Sequence, residues 1–145
     1  MKVYQDKNNL TYLHIHRADL TMRNGGDILA NTLRSYTNLK ILELEESEIT
    51  DEHLVPIVEA IRDHRIPIEE FSLHSNNIGD ATWEEYGNAG CEAIATLLEH
   101  SNCKLNCLVL SDNNISDGGI NVIANSLLRN SQLREIYLGA NPFDF

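Results

Sequence analysis

Basic residues are scarce in this chain: 11 Lys and Arg stand against 22 Asp and Glu in 145 residues, for a formal net charge of −11. Gripping a nucleic-acid backbone needs clustered cations, so the balance argues against nucleic acid and, equally, against an anionic membrane surface. It favours a basic protein partner. Aromatic residues are also few, at 6% of the chain, so aliphatic side chains must fill most of the core. No run approaches the roughly 18 apolar residues that suggest a membrane-spanning helix, and the N-terminus lacks the basic, apolar and small-residue regions of a secretory signal. A cytoplasmic or nuclear protein is the expectation. Cysteines number three, Cys91, Cys103 and Cys107, and an odd count without a secretion signal implies reduced thiols. Cys103 and Cys107 have a spacing used in zinc sites, but no second Cys/His pair follows. Their expected role is as small buried apolar residues.

What the chain has is internal repetition, which is sought before single motifs. Five segments share an apolar pattern that continues into a turn: Leu10, Leu13 and Ile15; Leu39, Leu42 and Leu44; Ile68, Phe71 and Leu73; Leu105, Leu108 and Leu110; Leu133, Ile136 and Leu138. Their starts, at 10, 39, 68, 105 and 133, are 29, 29, 37 and 28 residues apart. Apolar residues at every second position predict a strand with one buried face. Three residues past the last of these stand Asn76, Asn113 and Asn141 in the later copies, with Ala18 and Ser47 in the first two. A buried Asn there can bond turn groups that no sheet partner reaches. The N-terminal end should therefore be less tightly braced.

Each turn is followed by an apolar residue (Leu20, Ile49, Ile78, Ile115, Phe143), and in the middle copies by Asp51, Asp80 and Asp117. An acid suits a helix start. Helical spacing then appears at Ile28, Leu29 and Leu33; at Ile57, Val58 and Ile61; at Ile94, Leu97 and Leu98; and at Ile120, Ile123, Ala124 and Leu127. Pro56 predicts a second helix that opens with a short tight turn and settles after Val55.

The pattern Leu-x-x-Leu-x-Leu-x-x-Asn-x-Ile-x-Asp, with its period of 28 or 29 and one helix per unit, resembles the ribonuclease-inhibitor-type leucine-rich repeats, and Leu105 to Leu133 lies close to that consensus. The resemblance covers nearly the whole chain. It implies an α/β solenoid: a horseshoe arc with a parallel sheet on the concave side, helices on the convex side and a right-handed β–α superhelix. It also implies protein binding on a curved scaffold, without naming the partner. Stacked units bury together what no unit buries alone.

One domain over 1–145 is expected, with both ends uncapped. Met1 to Asn9 matches the last turn and return loop of a preceding unit, and the chain stops just after the fifth turn. Two explanations offer themselves, a piece of a longer protein or a homo-oligomer paired through open edges. The 37-residue spacing marks an insertion at about 81–89 that holds Trp83 and Tyr86, a candidate binding loop or a cover for neighbouring helices.

Positions between the buried strand residues should line the concave face. Tyr12, His14, His16, Ile41, Glu43, Glu45, Glu46, Glu70, His74, Val109, Asp112 and Tyr137 are its candidate contacts, apolar anchors among acids. His16, Glu45 and His74 share a row, but a rigid sheet does not make such residues converge, so a charge-paired surface is expected and no metal or other cofactor. Gly25-Gly26 and Gly118-Gly119 lack a phosphate-loop pattern, and Ser111 near His74 lacks a third group or an oxyanion hole. A non-catalytic binding module is the expected function. The alternatives are a regulator of another protein's enzyme and a segment of a larger receptor.

Overall fold

The computed structural model describes residues 9–79 and 88–143. Trp83 and Tyr86, with most of the expected insertion, lie outside the described residues; its last residue, Ala89, opens a helix. Strand and helix alternate along the chain: β1 (Tyr12–His16), α1 (Gly25–Leu33), β2 (Ile41–Glu45), α2 (Asp51–Asp63), β3 (Glu70–Ser72), α3 (Ala89–Glu99), β4 (Cys107–Val109), α4 (Asp117–Leu127) and β5 (Glu135–Tyr137). The five strands form one parallel sheet in chain order, each beside its sequence neighbour. Successive helices pack on one another.

A single core lies between the two layers. The inward pairs of the three central units, Leu42 and Leu44, Phe71 and Leu73, Leu108 and Leu110, are fully buried. They meet Leu54, Ile57, Val58 and Ile61 of α2, and Ile94, Leu97 and Leu98 of α3. At the flanks Leu13, Ile15, Ile136 and Leu138 are only half-buried.

Asparagine side chains hold the turns. Asn76 donates to the carbonyls of Leu44 and Leu73 and accepts the N–H groups of Ser47 and Ile49. Asn113 repeats this between Leu73, Leu110 and Ile78, and Asn141 between Leu110, Leu138 and Ile115. Ser47 reaches less far: its hydroxyl accepts from the Ala18 N–H and donates to the Glu45 carbonyl. One shorter side chain therefore replaces the three- or four-fold bracing of its neighbours.

Three details depart from the sequence reading. Helix α2 runs unbroken from Asp51 with Pro56 inside it. Its start is tied by the Thr50 N–H donating to Nδ1 of His53, and a second-turn proline costs one backbone bond without ending a helix whose inner face is fully packed. Ile28 is 55% exposed and Ala124 is exposed as well, so neither belongs to the apolar stripe of its helix. Cys107 is half-buried, unlike Cys91 and Cys103, because its place in β4 turns it away from the core.

Close approach fixes one glycine. A Cβ on Gly26 would run into the carbonyl of His53, so α1 and α2 pack at this distance only with hydrogen there.

Candidate binding face

The face of the sheet turned away from the helices is built by strand register. One row across it reads Tyr12, Ile41, Glu70, Cys107 and Glu135, and the next reads His14, Glu43, Ser72, Val109 and Tyr137. Neighbours within a row sit about 4.8 Å apart. His16 pairs with Glu45 at the end of β1 and β2, and His74 and Ser111 follow where β3 and β4 have ended.

Just past each strand, Arg17, Glu46, Ser75, Asp112 and Ala140 all have φ between 48° and 58°. None is glycine, although this left-handed region costs other residues roughly 1 kcal/mol or more. Backbone bonds along the ladder hold the first four, from Arg17 N–H to Glu45, Glu46 to His74, Ser75 to Ser111 and Asp112 to Gly139. The turn brings their side chains together in pairs. Arg17 meets Glu46 at 2.7 Å, and the Ser75 hydroxyl donates to Asp112 at 2.6 Å.

Charge is distributed unevenly across the face. At the β1–β2 end the acids are engaged. Tyr12 donates to Glu43 at 2.6 Å, and the ring nitrogens of His14 stand 3.9 Å from Glu43 and 3.8 Å from Glu45. Glu45 also accepts from Ser72, and His16 lies 3.2 Å from Glu46. The hydrogen bond to Glu43 raises the Tyr12 phenol above its ordinary range, and those from Arg17 and His16 lower the Glu46 carboxyl. At the β3–β5 end, Glu70 has no hydrogen-bond donor or cation among the described residues, while Asp112 and Glu135 accept only hydroxyls, from Ser75 and Tyr137. Burial, with Glu135 and Glu70 beside it, pushes the Cys107 thiol up.

Between the two ends lies a shallow groove of about 300 Å³. Ile41, Cys107 and Val109 supply apolar surface; Glu43 and Glu45 stand along the β2 side, and Glu70 stands on β3, between Ile41 and Cys107. Thus the structure brings Ile41, Glu43, Glu45, Glu70, His74 and Val109 around one hollow. Tyr12, His14, His16 and Glu46 cluster at one flank, with Asp112 and Tyr137 toward the other. His16, Glu45 and His74 do not converge: His16 turns to Glu46, and Nδ1 of His74 donates to the Ser111 carbonyl at 3.1 Å. Among the described residues no group of three His, Cys, Asp or Glu is placed to hold a metal.

A second hollow, of about 690 Å³, opens on the helix side against Asp27, Asp51, Glu52, Val55, Pro56, Glu59 and Ala89. Sequence reading missed it. The signal was present in the three- and four-residue spacing of Glu52, Val55, Pro56 and Glu59 along the outer side of α2, but that spacing looks like any solvated helix face.

A parallel sheet in chain order, a helix between successive strands and an Asn ladder at the turns resemble leucine-rich repeats of the ribonuclease-inhibitor type. Accordingly, the chain is similar to ribonuclease inhibitor of Sus scrofa, with 27% identity over 103 residues. That match covers 71% of this chain and 21% of the inhibitor, so the chain corresponds to a small part of that relative. No family model matches. Among solved structures, leiomodin-1 Actin-Binding Site 2 superposes with a TM-score of 0.69 at 19% identity, covering 93% of this chain and 70% of that one. The tropomodulin C-terminal domain of Caenorhabditis elegans gives 0.65 at 12% identity, covering 92% and 76%. At such identities the likeness is one of fold. No helix among the described residues is long and apolar enough to cross a membrane.

Proposed function

We propose that the chain is a non-catalytic protein-binding module, that its units bend into an arc with the open sheet face on the concave side, and that this face receives a basic surface of a partner protein. The observation that carries the reading is the groove itself, where Ile41, Cys107 and Val109 lie among the carboxylates of Glu43, Glu45 and Glu70. Apolar anchors inside a polar rim are the usual anatomy of a protein interface. Two comparisons point the same way, since one structural neighbour is described as an actin-binding site and the sequence relative as an inhibitor. The Trp83 and Tyr86 insertion is the rival contact within this proposal.

The test is a quantitative pull-down with the wild-type chain and with Glu43→Lys/Glu45→Lys. Basic proteins retained by the wild type and lost by the variant support the face. Equal recovery by both moves the contact off these two acids, to the β3–β5 end of the face or to the insertion, which Trp83→Ala then probes. The inhibitor relative favours a second form of the same reading, in which the bound partner is an enzyme held inactive.

A further inference from the structure

The open face is not uniformly acidic in effect. Its β1–β2 end carries its own cations and donors, for Tyr12, His14, His16 and Arg17 all engage Glu43, Glu45 or Glu46. Any partner seating there must first displace those contacts. Glu70, by contrast, faces no cation or donor among the described residues, and Glu135 accepts from Tyr137 alone. Both residues are exposed and occupy one row, one strand to either side of Cys107. Their backbones are therefore about 10 Å apart, two strand spacings. Beside that row run Val109 and Tyr137, the latter 50% exposed.

We propose that the β3–β5 half of this face is the docking surface for a basic segment of a partner protein, with two Lys or Arg side chains about 10 Å apart taken by Glu70 and Glu135 and an apolar group between them lying over Cys107 and Val109. The inference rests on the open-face reading above and assigns it a place and a charge spacing. Complementarity selects the occupant: two carboxylates without a cation among the described residues, one on either side of half-buried Cys107 and close to Val109, fit cations carried on an apolar stem.

A rigid ruler tests it. A fluorescent peptide of repeating Lys-Pro-Pro adopts polyproline II, which places successive lysines about 9.3 Å apart on one side. Its affinity for the 145-residue chain is measured by anisotropy at low and at raised salt, beside a Glu-Pro-Pro control. The expected result is binding that weakens with salt and falls roughly five- to tenfold in Glu70→Gln/Glu135→Gln, as two exposed charge pairs allow. Glu43→Gln/Glu45→Gln should change it less than about twofold. Alkylation of Cys107, the one thiol not buried, provides a second readout and should slow when the peptide is bound.

Loss of binding in the Glu43/Glu45 variant alone overturns the placement and leaves the open-face reading standing. Binding that neither variant alters, or equal binding of the Glu-Pro-Pro peptide, overturns both. Unchanged alkylation of Cys107 in the presence of saturating peptide overturns the seat over β4. All four substitutions are at exposed or half-exposed carboxylates, and matching circular dichroism melts confirm that the variants remain folded.

Discussion

One side chain, Asn76, satisfies backbone groups from two units at once. Its amide donates to the Leu44 and Leu73 carbonyls, and its oxygen accepts from the N–H groups of Ser47 and Ile49, all in the buried interior. Leu73 keeps a second donor in Asn113. Asn76→Ala therefore strands three groups, the Leu44 carbonyl and two N–H groups, each at about 1–3 kcal/mol when buried without a partner. We expect a loss on the order of 3 kcal/mol or more. Ser47→Ala should cost only about 1 kcal/mol, because the Ala18 N–H it abandons is half-buried and within reach of water. Urea denaturation followed by circular dichroism separates the two. Equal losses would mean that the turns are held by the surrounding apolar packing and not by the ladder. The identity of these residues was legible in the sequence, since a polar residue recurs at the same register in four of the five copies. What it bonds was only partly legible, because most of the partners named for each Asn belong to the preceding unit.

Elements show the same limit more sharply. Asp51 stands where a helix start was expected, and α2 does begin there. Its carboxylate, however, is spent on the next unit, accepting from the Gly79 N–H at 2.7 Å and from the Gly90 N–H, in the first turn of α3, at 2.8 Å. An acid read as the cap of its own helix is thus the anchor of its neighbour. A single repeat viewed as a string cannot reveal this, since the contact exists only once units stack. Asp51→Asn keeps an acceptor but removes the charge that complements the α3 N-terminus, and should cost about 1–2 kcal/mol. Amide exchange should rise in the first turn of α3 while that of α2 changes little; a rise confined to α2 would return Asp51 to its own helix. The same reasoning accounts for the face. Which residues point outward followed from strand alternation, but the division into a self-compensated end and an uncompensated end depends on which side chains meet across strands. Tyr12 meeting Glu43 and Arg17 meeting Glu46 are contacts 31 and 29 residues apart.

At the scale of the whole molecule, burial falls off from the middle of the array to its flanks. The inward residues of β2, β3 and β4 are fully buried, whereas Leu13 and Ile15 at one side and Ile136 and Leu138 at the other are half-buried. Among the described residues, close backbone approaches between strands and between helices join sequence neighbours alone, so stability should behave as a sum of unit and nearest-neighbour contributions. Leu42, enclosed between β1 and β3, loses its transfer free energy and leaves a cavity when cut to alanine, on the order of 3 kcal/mol. Leu13, already in part hydrated, should lose about 1 kcal/mol. Hydrogen exchange on the 145-residue chain should then be slowest in β2–β4 and α2–α3 and faster in β1 and β5. Leu42→Ala should collapse the whole gradient by weakening the central units, and Leu13→Ala should speed exchange in β1 and α1 alone. If Leu13→Ala instead lowers protection uniformly through α4, the chain unfolds as one cooperative body, and the nearest-neighbour description is wrong for an array this short.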